Sequence, residues 1–167
     1  MTTVSAPHDS RRYEVLDGRL LITGPQPPAH QAAVVALLVL LKHACPPNLL
    51  VSVNSLDYRP DLNTSLRPDL LICHRKDAGP RLLTAPPVLV VEVLSPTTRT
   101  TDVVLKRTLY EHHQIQSYWL LDPTTQELTI LELTPTGYTC QAVLQSEETF
   151  HTTHPFPITL TPANLTK

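Results

Sequence analysis

Two short apolar runs fenced by proline do most to decide what this chain can fold into. Asp69-Leu-Leu-Ile-Cys73 follows Arg67-Pro68, and Val88-Leu-Val-Val-Glu-Val93 follows Pro86-Pro87 and is closed by Pro96. Near-continuous Val, Leu and Ile over this length suits strands covered on both faces. Proline is confined to strand ends and edges, so it marks where each run stops. Tyr118–Leu121, closed by Asp122-Pro123, reads as a third buried strand. A sheet with such a centre needs a layer on either side.

The rest of the chain supplies those layers. Tyr13–Leu16 and Arg19–Thr23 are β-favouring runs joined by Asp17-Gly18, a hairpin signature. His30–Ala44 is Ala- and Leu-rich and stopped by Pro46-Pro47, which predicts a helix that is apolar nearly all round and therefore buried. Leu49–Tyr58 alternates as a strand, and 61–65 is a loop. Thr100–Gln114 carries Leu105, Leu109 and a histidine at helical spacing, predicting an amphipathic helix. Glu127–Leu133 and Tyr138–Val143 form a second hairpin around Pro135, Thr136 and Gly137. The proline-broken tail offers one edge strand at best. The expectation is an α/β (α+β mixed) domain, a central mixed sheet flanked by two main helices, over residues 11–167, with residues 1–10 disordered. One domain suits 167 residues.

Composition narrows the function. No apolar run reaches the roughly 18 to 20 residues of a bilayer span, and Met1–Arg12 is polar, so a cytoplasmic protein without membrane attachment is expected. Three widely spaced cysteines, Cys45, Cys73 and Cys140, form neither a disulfide framework nor a thiolate zinc site, and read as reduced, mostly buried small hydrophobes. A net charge of −2 makes no global case for nucleic acid. The basic side chains nevertheless concentrate in the middle third, where Arg67, Arg75, Lys76 and Arg99 are the candidate contacts for a polyanion; a solvated face is the other reading.

Asp69 opens one buried strand and Glu92 lies near the end of another. An ionised carboxylate in such a run is costly unless a cation or hydrogen bonds compensate. The pair is therefore a candidate for shared Mg²⁺ (or Mn²⁺) coordination, although capping or pairing with Arg67 or Arg99 would also satisfy it. On the second helix Asp102, Lys106 and Tyr110 share one face, which could be catalytic or a plain salt-bridged surface. His30, at the start of the first long helix, could contact phosphate, bind metal or cap the helix; Glu14 sits on the first hairpin. Ser95 lacks a nucleophile elbow, the histidines lack zinc spacing, and four glycines leave no phosphate loop.

With these residues in view the sequence resembles a known family. Arg67-Pro68-Asp69-Leu70, Val91-Glu92-Val93-Leu94-Ser95-Pro96-Thr97, Asp102-x-x-x-Lys106-x-x-x-Tyr110 and Tyr118-Trp119-Leu120-Leu121-Asp122-Pro123, preceded by Tyr13–Gly18 and Pro27-Pro28-x-His30, resemble the Uma-two family of restriction endonucleases in the PD-(D/E)XK superfamily. The resemblance implies a restriction-endonuclease-like fold and Mg²⁺-dependent hydrolysis of DNA phosphodiesters. Asp69, Glu92 and the Val93 carbonyl would hold the ion, with Glu14 and His30 beside it. The superfamily's lysine, two residues after the glutamate, is replaced by Leu94; many family members with that leucine carry the helix lysine found here at Lys106, as base or charge stabiliser. The alternative is a catalytically inactive, dimeric binding module of the same fold. A homodimer is expected in either case, since an all-apolar helix needs cover.

Overall fold

The computed structural model describes residues 11–167; the expectation for residues 1–10 lies outside them. Strands β1 (Arg12–Leu16) and β2 (Arg19–Thr23) form the anticipated hairpin. Asp17 and Gly18 both take positive φ at its turn, which is why Asp-Gly stands there. Helix α1 (Pro28–Ala44) starts on a proline, whose missing N–H costs nothing in a first turn. Then come β3 (Leu49–Val53), β4 (Asp57–Tyr58), β5 (Leu70–His74), β6 (Leu82–Leu83) and β7 (Leu89–Val93). A helical segment runs as a π-helix over Thr101–Lys106 and as α2 over Arg107–His112. Strands β8 (Ser117–Asp122), β9 (Glu127–Thr134), β10 (Gly137–Gln145), β11 (Phe150–Thr152) and β12 (Ile158–Leu160) and the short α3 (Pro162–Leu165) complete the chain.

Six strands make the central sheet in the order β10-β9-β8-β7-β5-β3. Only β7 and β8 run parallel, joined by the crossover that contains the π-helix and α2. The other neighbours are antiparallel, so the sheet is mixed, as the sequence predicts. Alternate residues of β7 face opposite layers. Leu89, Val91 and Val93 pack with α1 residues Ala33, Val34, Leu37 and Leu41, whereas Val90 packs with Tyr110, Tyr118 and Leu71. Every residue of β7 and β8 is buried, which accounts for their largely apolar character, with Glu92, Ser117 and Asp122 the polar exceptions. Among the described residues no helix is long and apolar enough to cross a membrane.

Four expectations are corrected. The strand proposed for Leu49–Tyr58 stops at Val53, because Asn54 adopts positive φ and its N–H turns to the Asp69 carbonyl. Helix α1 is not buried all round: Val35 and Val39 are 58% and 65% exposed. The tail contributes a β11–β12 hairpin and a helical turn that bury Phe156, Ile158, Leu160 and Leu165 against the α1 layer, more than one edge strand. Of the three unpaired cysteines only Cys73 is buried; Cys45 is half-buried and Cys140 exposed.

Candidate active site

The site forms at one rim of the sheet, where β5 begins and β7 ends. The β5–β7 register pairs Leu70 with Val91, and extending it by one residue sets Asp69 opposite Glu92. Both acids are buried, at 1% and 0% exposure. The N–H of Asp69 donates to Oε2 of Glu92 at 3.4 Å, and the N–H of Val93 donates to Oδ2 of Asp69 at 2.9 Å. The proline before Asp69 and the strand that Glu92 sits in therefore hold the two carboxylates together through backbone donors.

The second helix closes the site from the Glu92 side. Lys106 places its ammonium 3.0 Å from Glu92, 3.1 Å from Glu14 and 3.4 Å from Asp102, and is itself buried. The Tyr110 hydroxyl donates to the same Glu92 Oε1 at 2.9 Å. The face bearing Asp102, Lys106 and Tyr110 thus points inward, while Leu105, expected on the apolar inner face, is 53% exposed. This reverses the expected amphipathicity: Lys106 and Tyr110, which donate to Glu92, and Asp102 beside the ammonium outweigh the burial of one leucine. The π-helical segment coincides with that polar stretch, and the Tyr118 hydroxyl donates to its Asp102 carbonyl at 2.9 Å.

Strand β1 brings the third wall. Backbone bonds between Val15 and Ser65 dock the hairpin, and Glu14 Oε1 accepts from the Arg67 N–H at 2.8 Å. Arg12, two residues earlier, donates to Asp69 Oδ1 at 2.8 Å and to the Arg67 carbonyl at 3.0 Å. From α1, His30 Nε2 meets Asp69 Oδ2 at 3.1 Å. Glu14 Oε2, Asp102 Oδ1 and His30 Nδ1 are buried without a hydrogen bond among the described residues. A cavity of about 360 Å³ opens against this rim, lined among others by Arg12, Gln26, His30, Gln31, Arg67 and Asp69.

Electrostatics separates the two acids. Burial pushes the Asp69 carboxyl up, but the His30 hydrogen bond, the Arg12 charge and the Val93 N–H together hold it down at about 2. Burial pushes Glu92 up to about 8, opposed by Lys106 and assisted by Asp102, Asp69 and Glu14. Burial would strip the proton from Lys106, yet Glu92, Glu14 and Asp102 more than compensate and raise it above the ordinary lysine value. Lys106 is therefore held as a positive charge among three carboxylates.

Asp69, Glu92, Lys106, Glu14 and His30 are thus brought together, and Val93 joins them through its N–H. Arg67 lines the same cavity, its side chain on Asp57 at 2.7 Å. Arg75 and Lys76 are not brought there. They follow the far end of the five-residue β5, about 16 Å of strand away from Asp69. Arg99 pairs with Asp122 at the end of β8. Arg12 is the residue sequence reasoning missed. In sequence it is the last residue of the polar stretch Met1–Arg12, and only the tertiary fold sets it against an acid 57 positions on.

A family model named Uma2 and described as "Putative restriction endonuclease" matches residues 4–166. No curated protein matches the chain. Among solved structures, the chain is similar to one titled a "putative nuclease belonging to DUF820" from Anabaena variabilis, at 17% identity and a TM-score of 0.72, over 92% of this chain and 88% of that one. At that identity the likeness speaks for the fold alone.

Proposed function

Because the chain belongs to the Uma2 family of restriction endonucleases, we propose that it hydrolyses DNA phosphodiester bonds at the rim where Asp69 and Glu92 meet. The observation that carries this reading is the convergence of two buried acids from adjacent strands, with one ammonium 3.0 Å from the second.

The donor set suits a divalent ion. Glu14, Asp69, Glu92 and Asp102 crowd around two permanent cations, Arg12 and Lys106, and two of their carboxylate oxygens accept no hydrogen bond among the described residues. Hard oxygens and excess negative charge fit Mg²⁺ or Mn²⁺. Among the described residues no group of three or more acids, histidines or cysteines is arranged to hold an ion, so substrate and solvent oxygens would have to supply the other ligands. Asp69 and Glu92 would hold the ion, which when bound supplies charge neutralisation at the scissile phosphate. Lys106 keeps its proton and stabilises negative charge developing on the phosphate oxygens. Tyr110 fixes Glu92, and His30 and the Val93 N–H orient Asp69. Plasmid nicking with Mg²⁺ or Mn²⁺ tests the reading. Wild type nicks, Asp69→Asn and Glu92→Gln do not; three equal activities sink the assignment.

A second reading has its own observation. Every oxygen of Asp69 and Glu92 already accepts from a protein donor, as in a site that has lost its ion and serves binding alone. It predicts no calorimetric heat with Mn²⁺; tight binding that needs both acids rules it out. Under either reading the protein works in the cytoplasm as a homodimer, with exposed Val35 and Val39 of α1 as the apolar face to be covered. A monomeric sedimentation profile at tens of micromolar would remove the dimer.

A further inference from the structure

We propose that the cavity at the N-terminus of α1 is a phosphate subsite, taking a backbone phosphodiester of nucleic acid between Arg12 and Arg67. It deepens the nuclease reading and rests on it for the identity of the ligand.

Three independent features converge there. The first is the helix end itself. Helix α1 spans 17 residues, yet it has no side-chain cap and no acidic residue in its first turn. Its positive end is left uncompensated within the helix itself, and His30 and Gln31 of that turn line the cavity. The second is His30, 1% exposed, whose Nδ1 has no partner among the described residues. A buried polar atom in that state calls for a ligand or an ordered water. The third is the pair of guanidinium groups. Arg12 is held by Asp69 and the Arg67 carbonyl, and Arg67 by Asp57, so both are positioned before any ligand arrives. Planar guanidinium groups suit phosphate oxygens better than a point charge does.

Among the described residues Asp69 is the one carboxylate lining the cavity, and it already accepts from Arg12, His30 and Val93, which offsets its repulsion of an anion. Gln26, Gln31 and Asn54 supply neutral donors around the rest of the wall. A phosphate seated here lies directly beside Asp69 and so delivers the backbone to the reaction centre. Arg75 and Lys76, past the far end of β5, take no part in it.

The test is binding of a short fluorescein-labelled DNA duplex in EDTA, followed by anisotropy. Gln31→Glu is the decisive variant. Gln31 is exposed, and a carboxylate in a first helical turn favours the helix, so the fold persists. The expected result is at least tenfold weaker binding with an unchanged or higher Tm. Arg67→Ala should weaken binding and reduce the slope of log Kd against log salt by about one. Inorganic phosphate should compete with the duplex on wild type, and Arg75→Glu should bind as wild type does. Wild-type affinity in Gln31→Glu, a loss caused by Arg75→Glu instead, or no duplex binding at low salt overturns the subsite. A chain that binds through this cavity but never cuts with Mn²⁺ keeps the subsite and removes the nuclease reading. Metal-dependent cutting undiminished in Gln31→Glu does the reverse.

Discussion

Replacing Lys106 by methionine removes the charge at the centre of the site while keeping most of the side chain's volume. In the wild type one ammonium lies 3.0 Å from Glu92, 3.1 Å from Glu14 and 3.4 Å from Asp102, and all three carboxylates are at most 2% exposed. Removing one partner of a buried ion pair costs roughly 3 to 5 kcal/mol, because the other charge is left uncompensated. Here three carboxylates share the loss, so about 4 kcal/mol at pH 7 is expected, a large part of a typical domain's stability. With a urea dependence of about 2 kcal/mol per molar, the unfolding midpoint should fall by about 2 M. The pH dependence gives the sharper check. Burial already raises Glu92 and Asp102 against the opposing charge of Lys106, and without that ammonium both rise further above their unfolded values. A raised pKa contributes stability that is present below the unfolded value and lost as pH rises through the folded value. The variant should therefore recover much of its deficit between pH 7 and pH 4.5, and Glu92→Gln added to it should restore part of the loss at pH 7. A deficit under about 1 kcal/mol at pH 7, or one equal at both pH values, would refute the claim that this ammonium neutralises the buried acids.

Other expectations follow from the same geometry. Asp69 falls from 3.8 to about 2 on folding, worth roughly 2 kcal/mol that is present above its unfolded value and lost as pH drops through about 2. Acid unfolding of Asp69→Asn should accordingly show a shallower slope between pH 4 and 2 than wild type; an identical slope contradicts the depressed pKa. Tyr110→Phe strips a donor from buried Glu92 and should cost about 1 to 3 kcal/mol, whereas Leu105→Lys, on the exposed side, should stay within about 0.5 kcal/mol. Chemical denaturation giving the opposite ranking would mean that the second helix is turned the other way.

The sheet was legible because its inner strands are written plainly. Proline fences and unbroken Val, Leu and Ile have one economical reading, and the acids embedded in them stand out against it. The Asp69–Glu92 pairing needed only the inference that the two strands are neighbours. Lys106 was visible as a member of a face with Asp102 and Tyr110, but not the direction of that face. Hydrophobic periodicity assumes that apolar residues point inward, and here a mutually satisfied polar set does so. The same assumption overstated the burial of α1, whose Val35 and Val39 look outward. Arg12 left no local trace, since its role depends on a hairpin docked through Val15 and Ser65. Arg75 and Lys76 were grouped with Arg67 by closeness in sequence, although one strand's length separates them from the site.

The central claim is that Asp69 and Glu92 form one ion-holding pair within reach of Lys106. Crystals soaked in Mn²⁺ and measured at the manganese absorption edge test it most directly. The account predicts an anomalous peak bonded to both carboxylates, abolished in Asp69→Asn. Manganese bound elsewhere, or a peak that survives that substitution, contradicts it.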